Sequence, residues 1–112
     1  MTGITARLQA MLSAGQDNLL LRFTLGKTMF ERESFDAAIE HLTAALAFDD
    51  RFSNAWKLLG RARLAQGDRE GARQAWETGA AAATERGDAQ VAKEIAVFLK
   101  RLSKQDAERA SD

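Results

Sequence analysis

Leu25-Gly26 recurs as Leu59-Gly60, and 60 minus 26 is 34. A fixed period constrains a chain more than any local propensity, because it means that one supersecondary unit is stacked on copies of itself. The same shift carries Ala38 onto Ala72, Leu42 onto Trp76, and Ser34-Phe35-Asp36 onto Asp68-Arg69-Glu70. Composition says what the unit is made of. Proline is absent, β-branched residues are sparse, and Ala, Leu, Arg, Glu, Gln and Lys are plentiful, so each unit reads as helix, short turn, helix and the class as all-α.

Local chemistry marks the element ends. Asn18 and Ser53 are expected to accept hydrogen bonds from the free N–H groups that open a first helix, and Ser34 and Asp68 from those that open a second. Gly67 and Gly87 suit the left-handed conformation that closes a helix, while Asp36 and Glu40 sit early in theirs, where the dipole favours acids. Gly26 and Gly60 are different, because a glycine inside a helix costs about 1 kcal/mol relative to alanine. Their expected use is close packing, the absent side chain letting a second helix with Ala38 or Ala72 approach the first.

Trp56, Leu59, Gly60, Ala72 and Trp76 in one unit, and Leu25, Gly26, Met29, Ala38 and Leu42 in the other, resemble the tetratricopeptide repeat, a helix-turn-helix unit with the pattern W-x2-L-G-x2-Y, A-x3-F, P. Arg22 stands in the tryptophan slot of the first unit, Arg63 in the tyrosine slot of the second, and Asp50 and Thr84 where proline often ends a unit. The register extends backwards, since Ile4, Leu8, Met11 and Leu12 fall opposite Ala38, Leu42, Ala45 and Leu46. It stops forwards, where Lys93 and Glu94 occupy the Leu-Gly slot. The resemblance therefore implies a short solenoid of about six antiparallel helices in one domain over 1–104. It divides into a half repeat over 2–18, repeats over 19–52 and 53–86, and a capping helix over 88–104 bearing the stripe Val91, Ile95, Phe98, Leu99 and Leu102. Residues 105–112 are expected to be a frayed tail. The chain looks like the small stand-alone bacterial members of that family.

Little in the chain points to catalysis. With no cysteine there is no disulfide, thiolate metal site or thiol nucleophile, and one histidine, His41, rules out a two-histidine metal site; His41 is expected to be a solvent-facing structural residue. Glu31, Glu33 and Asp36 read as a helix end with a solvated face, and Trp56 and Trp76 as fillers between helices. A non-enzymatic protein without cofactor or metal is expected. Sixteen basic residues balance sixteen acidic ones, so no global field favours nucleic acid or an anionic membrane. The first residues lack a signal-peptide core and no run of about 18 apolar residues occurs, which sets the expectation of an unexported, cytoplasmic protein.

The neutral total hides a segregation. Arg51 to Gly67 holds Arg51, Lys57, Arg61 and Arg63 with no acid, whereas Glu31 to Asp50 holds six acids against Arg32. On the first helix of the first unit, Leu20, Phe23, Lys27 and Phe30 recur at steps of three, four and three, one helical stripe opposite Leu25, Gly26 and Met29. The same offset gives Asn54, Lys57, Arg61 and Leu64. First helices line the concave groove in tetratricopeptide proteins, so the resemblance implies that these eight residues bind a peptide segment of a partner. Their chemistry suits a ligand with an acidic group and an apolar anchor. The alternative is a self-associating protein whose apolar groove face forms a homodimer. The lysine and asparagine clamp of chaperone-binding members is not reproduced, because Phe23 and Leu58 occupy two of its slots.

Overall fold

The computed structural model describes residues 3–111. Its helices are α1 (Gly3–Ser13), α2 (Leu19–Glu31), α3 (Phe35–Phe48), α4 (Ser53–Ala65), α5 (Arg69–Arg86) and α6 (Ala89–Ser111), and no strand interrupts them among the described residues. Each helix packs on the next, and beyond that only α2 with α4 and α4 with α6 touch. The even-numbered helices thus form an inner layer and the odd-numbered ones an outer layer, an arrangement that curves the array. The result is a flat, elongated body of 51 × 32 × 19 Å.

Several element ends follow their expected causes. Asn18 Oδ1 accepts from the Leu21 N–H at 2.9 Å to open α2, and Asp68 Oδ1 accepts from the Gly71 N–H at 2.9 Å to open α5. Gly87 closes α5 at φ 77° and Gly67 follows α4 at φ 84°. Two caps differ. Ser34 holds the cap position of α3 without a side-chain bond to it, and Ser53 lies inside α4, where its hydroxyl instead donates to Asp88 Oδ2 at 2.8 Å. Ser53 is buried, so its hydroxyl needs a partner, and the start of α6 supplies one. Glu33, the 34-residue counterpart of Gly67, takes φ 60° without being glycine.

Close crossings explain the helical glycines. A Cβ at Gly26 would lie 2.7 Å from Leu42 Cγ, and one at Gly60 would lie 2.6 Å from Trp76 Cε2, with Nε1 and Cδ1 nearer still. The side chains seated on the glycines are therefore Leu42 and Trp76, while Ala38 and Ala72 are buried beside them. Trp76 keeps its indole N–H satisfied by donating to the Lys57 carbonyl at 3.0 Å. Trp56 is half-buried and donates to the Asp50 carbonyl at 2.7 Å, and its Cβ would lie 2.6 Å from a Cβ placed on Gly79, a third close crossing.

Helix α6 lays Val91, Ile95, Phe98, Leu99 and Leu102 against Ala72 and Trp76. It does not stop at Lys104. The expected frayed tail is helical through Ser111, with Asp112 outside the described residues. The reason lies on α5: Arg69 reaches Asp106 at 2.7 Å, Arg73 also pairs with it, and these two guanidinium groups hold the Asp106 carboxyl below its usual range. His41 is likewise not solvent-facing. It is half-buried against α2, with Nδ1 3.1 Å from Arg22 Nη1, and Arg22 is gripped by both carboxylate oxygens of Asp17 at 2.9 and 3.0 Å. Burial and then the Arg22 charge push the His41 pKa down from 6.5, so the ring is neutral at pH 7 and its Nδ1 accepts from Arg22.

Candidate groove on the inner helices

The inner layer presents two neighbouring hollows. One of about 300 Å³ is lined by Phe23, Lys27, Asn54, Lys57, Leu58 and Arg61, and the other, of about 280 Å³, by Phe30, Arg61, Leu64, Ala65, Trp76 and Phe98. Arg61 borders both. All the stripe residues of α2 and α4 meet here except Leu20. That residue is 73% exposed and lines a separate hollow between α1 and α2, because it sits one turn too early on α2 to face α4. A larger hollow of about 420 Å³ lies at the α2–α3 turn, where Gln66 donates to Asp36.

The charges of the groove are not equivalent. Lys57 Nζ lies 3.0 Å from Glu94 Oε1 of α6, so its charge is already answered within the fold. Arg61 and Lys27 have no acid partner among the described residues. The Arg61 guanidinium carbon instead sits 4.9 Å from the centroid of the Phe30 ring and 5.9 Å from that of Phe98, attracted by the negative ring faces. The aromatic walls are themselves anchored. Phe23 meets Phe52 edge-on at 4.9 Å, Phe30 meets Phe35 at 5.5 Å, and Phe98 stacks on Trp76 at 5.3 Å. Half-burial of Phe23 and Phe30 in this way makes the groove a preformed surface.

Leu58, Ala65, Trp76, Glu94 and Phe98 join the site without having been assigned to it from the sequence. A signal for Phe98 was present, since the 34-residue shift carries Phe30 to Leu64 and Leu64 to Phe98. Its place in the apolar stripe of α6 masked that second relation. Among the described residues, no group of three or more His, Asp or Glu side chains could hold a metal ion, and no helix is long and apolar enough to cross a membrane.

The family model described as tetratricopeptide repeat matches residues 29–96. The chain belongs to the tetratricopeptide repeat family. The TPR repeat-containing protein PA0015 of Pseudomonas aeruginosa is 50% identical over 97 residues, 87% of this chain and 92% of that protein. The solution structure of protein BPP2914 from Bordetella parapertussis is 61% identical with a TM-score of 0.87, covering 99% of this chain and 96% of that one. The crystal structure of MamA shares the fold at a TM-score of 0.64 and 18% identity, over 96% of this chain and 70% of that chain. Tetratricopeptide repeats generally mediate protein–protein interaction and are generally non-enzymatic.

Proposed function

We propose that this tetratricopeptide protein is a non-enzymatic adaptor that binds a peptide segment of a partner protein along α2, α4 and α6. An acidic group of the ligand sits between Lys27 and Arg61 near Asn54, and an apolar side chain enters the hollow walled by Phe30, Leu64 and Phe98. The observation that carries this reading is the position of Arg61: it has no acid partner among the described residues, rests over two aromatic rings and borders both hollows. Arg61 is exposed, so its donors are open to a ligand, and the rings against which it rests favour one placement of the planar guanidinium, which can take a carboxylate in a bidentate contact. A homodimer across the same face is the weaker reading, since Phe23 and Phe30 already spend much of their apolar surface on Phe52 and Phe35.

The test is capture from a native lysate with the wild-type chain and with Arg61→Glu, followed by titration of synthetic segments of each captured protein. Segments that combine an acidic residue with a nearby aromatic or leucine should bind the wild type and not the variant. Capture of the same proteins by both forms would refute the assignment.

A further inference from the structure

We propose that Arg101 is a second carboxylate receptor on the α6 rim of the groove, so that the ligand is a segment whose apolar anchor has an acidic residue on each side. This rests on the adaptor reading above and adds the ligand's chemical class to it. The carrying observation is a constant offset between the neighbouring inner helices. Lys57 Nζ meets Glu94 Oε1 at 3.0 Å, the Arg61 guanidinium carbon lies 5.9 Å from the centroid of the Phe98 ring, and the members of each pair are 37 residues apart. Arg69 and Asp106, just past the end of α4, keep the same offset at 2.7 Å. It sets Arg101 level with Leu64, and Leu64 lines the hollow that Phe98 walls.

Helix periodicity turns Arg101 towards the groove. Glu94, Phe98 and Arg101 follow one another at steps of four and three, the spacing of one stripe, and the first two of them meet α4. Arg101 is exposed and has no acid partner among the described residues. The acids around it are engaged or distant: Glu94 is held by Lys57, Asp106 by Arg69 and Arg73, and Glu108 lies two turns further along α6. Exposed Lys104 follows Arg101 by one turn and is likewise without an acid partner, so the field at this rim is positive. On the opposite wall, exposed Glu31 comes directly after Phe30 at the end of α2. An acid beyond the anchor is thereby drawn to α6 and repelled from α2.

Dimensions set the spacing of the two acids. Three residues of helix rise about 4.5 Å and touching helices lie about 8–10 Å apart, so the Arg61 and Arg101 backbones are about 10 Å apart. Extended chain covers that distance in about three residues. The first acid then meets Lys27 and Arg61, the anchor enters between Phe30, Leu64 and Phe98, and the second acid meets Arg101. A planar guanidinium suits either carboxylate in a bidentate contact.

Calorimetric titration of the full chain with synthetic peptides blocked at both ends tests this, the central residues being Glu-Leu-Gly-Glu, Gln-Leu-Gly-Glu or Glu-Leu-Gly-Gln. The wild type should bind the two-acid peptide at least about tenfold more tightly than either one-acid peptide. Arg101→Gln, at an exposed position, should leave the circular dichroism melt unchanged and hold the better one-acid peptide as the wild type does, yet lose the preference for two acids. Lys93→Gln, exposed at the other end of α6, should keep that preference. Equal binding of one-acid and two-acid peptides by the wild type, or a preference that survives Arg101→Gln, overturns the inference and leaves the groove reading standing. A preference lost as fully with Lys93→Gln means a diffuse field in place of a receptor and overturns it too. If none of the three peptides binds at about 1 mM, the groove reading falls and this inference with it.

Discussion

Gly60→Ala adds a single carbon at the most crowded crossing in the fold, and its consequence can be worked from the structure. The new Cβ would meet the Trp76 indole along its Nε1 edge, and Trp76 is only 2% exposed. The ring cannot swing aside: Phe98 stacks on it at 5.3 Å and its N–H is committed to the Lys57 carbonyl at 3.0 Å. Overpacking costs about 1–3 kcal/mol. Weakening the indole hydrogen bond costs about 0.5–1.5 kcal/mol. Alanine's better helix propensity returns about 1 kcal/mol. The sum is a destabilisation of about 0.5–3.5 kcal/mol, centred near 2, or about 8 °C in melting temperature at about 4 °C per kcal/mol. Gly26→Ala should cost less, because Leu42 can shift its branched end where an indole cannot. Urea titrations read by tryptophan fluorescence and thermal melts by circular dichroism would measure both. A Gly60→Ala variant as stable as the wild type, or less affected than Gly26→Ala, would refute the reasoning.

Three other outcomes follow from particular contacts. Glu33→Gly should stabilise the fold by about 0.5–1 kcal/mol in urea titrations, because Glu33 occupies φ 60°, a conformation glycine adopts without strain. Asp106→Asn, and separately deletion of residues 105–112, should each lower the melting temperature, since Asp106 ties the end of α6 to Arg69 and Arg73; a frayed tail would predict no change. The His41 pKa is lower in the folded chain than its ordinary 6.5, so between those two values the unfolded chain binds more protons and stability rises with pH. Its contribution is complete above 6.5 and is lost as pH falls below it, and His41→Gln should flatten that part of a melting-temperature profile recorded from about pH 7.5 to about pH 5.

The repeat was legible because its slots are filled by the same kinds of residue at a constant interval, and Gly26 and Gly60 stand out as costly exceptions with a shared cause. What escaped are relations between elements distant along the chain. Lys57 and Glu94 are 37 residues apart, as are Arg69 and Asp106, and no local pattern says that the end of α6 lies over α5 or that one groove cation is already spoken for. Leu20 shows the same limit from another side. A three-four-three spacing defines a face of α2, but whether a residue on that face meets α4 or α1 depends on its height along the helix, which only packing decides.

The unequal groove cations separate binding from folding. Removing Lys57 leaves Glu94 without its partner in a half-buried setting, so Lys57→Ala should damage the fold as well as binding and is a poor probe of either. Arg61 holds no carboxylate, and losing its contact with two rings costs about 0.5–1 kcal/mol, so Arg61→Ala should weaken an acidic peptide at least about tenfold while moving the melt by only a few degrees. Glu94→Gln should act in reverse: it releases the Lys57 ammonium into the hollow and removes a carboxylate that repels the ligand, so affinity should rise. Glu77→Ala, exposed on α5, is the control, whereas Arg73 does not serve because it pairs with Asp106. Isothermal titration with one captured segment would rank the four variants. If Glu94→Gln weakens binding as much as Arg61→Ala does, Glu94 is a contact for the ligand, and the polarity assigned to the groove is wrong.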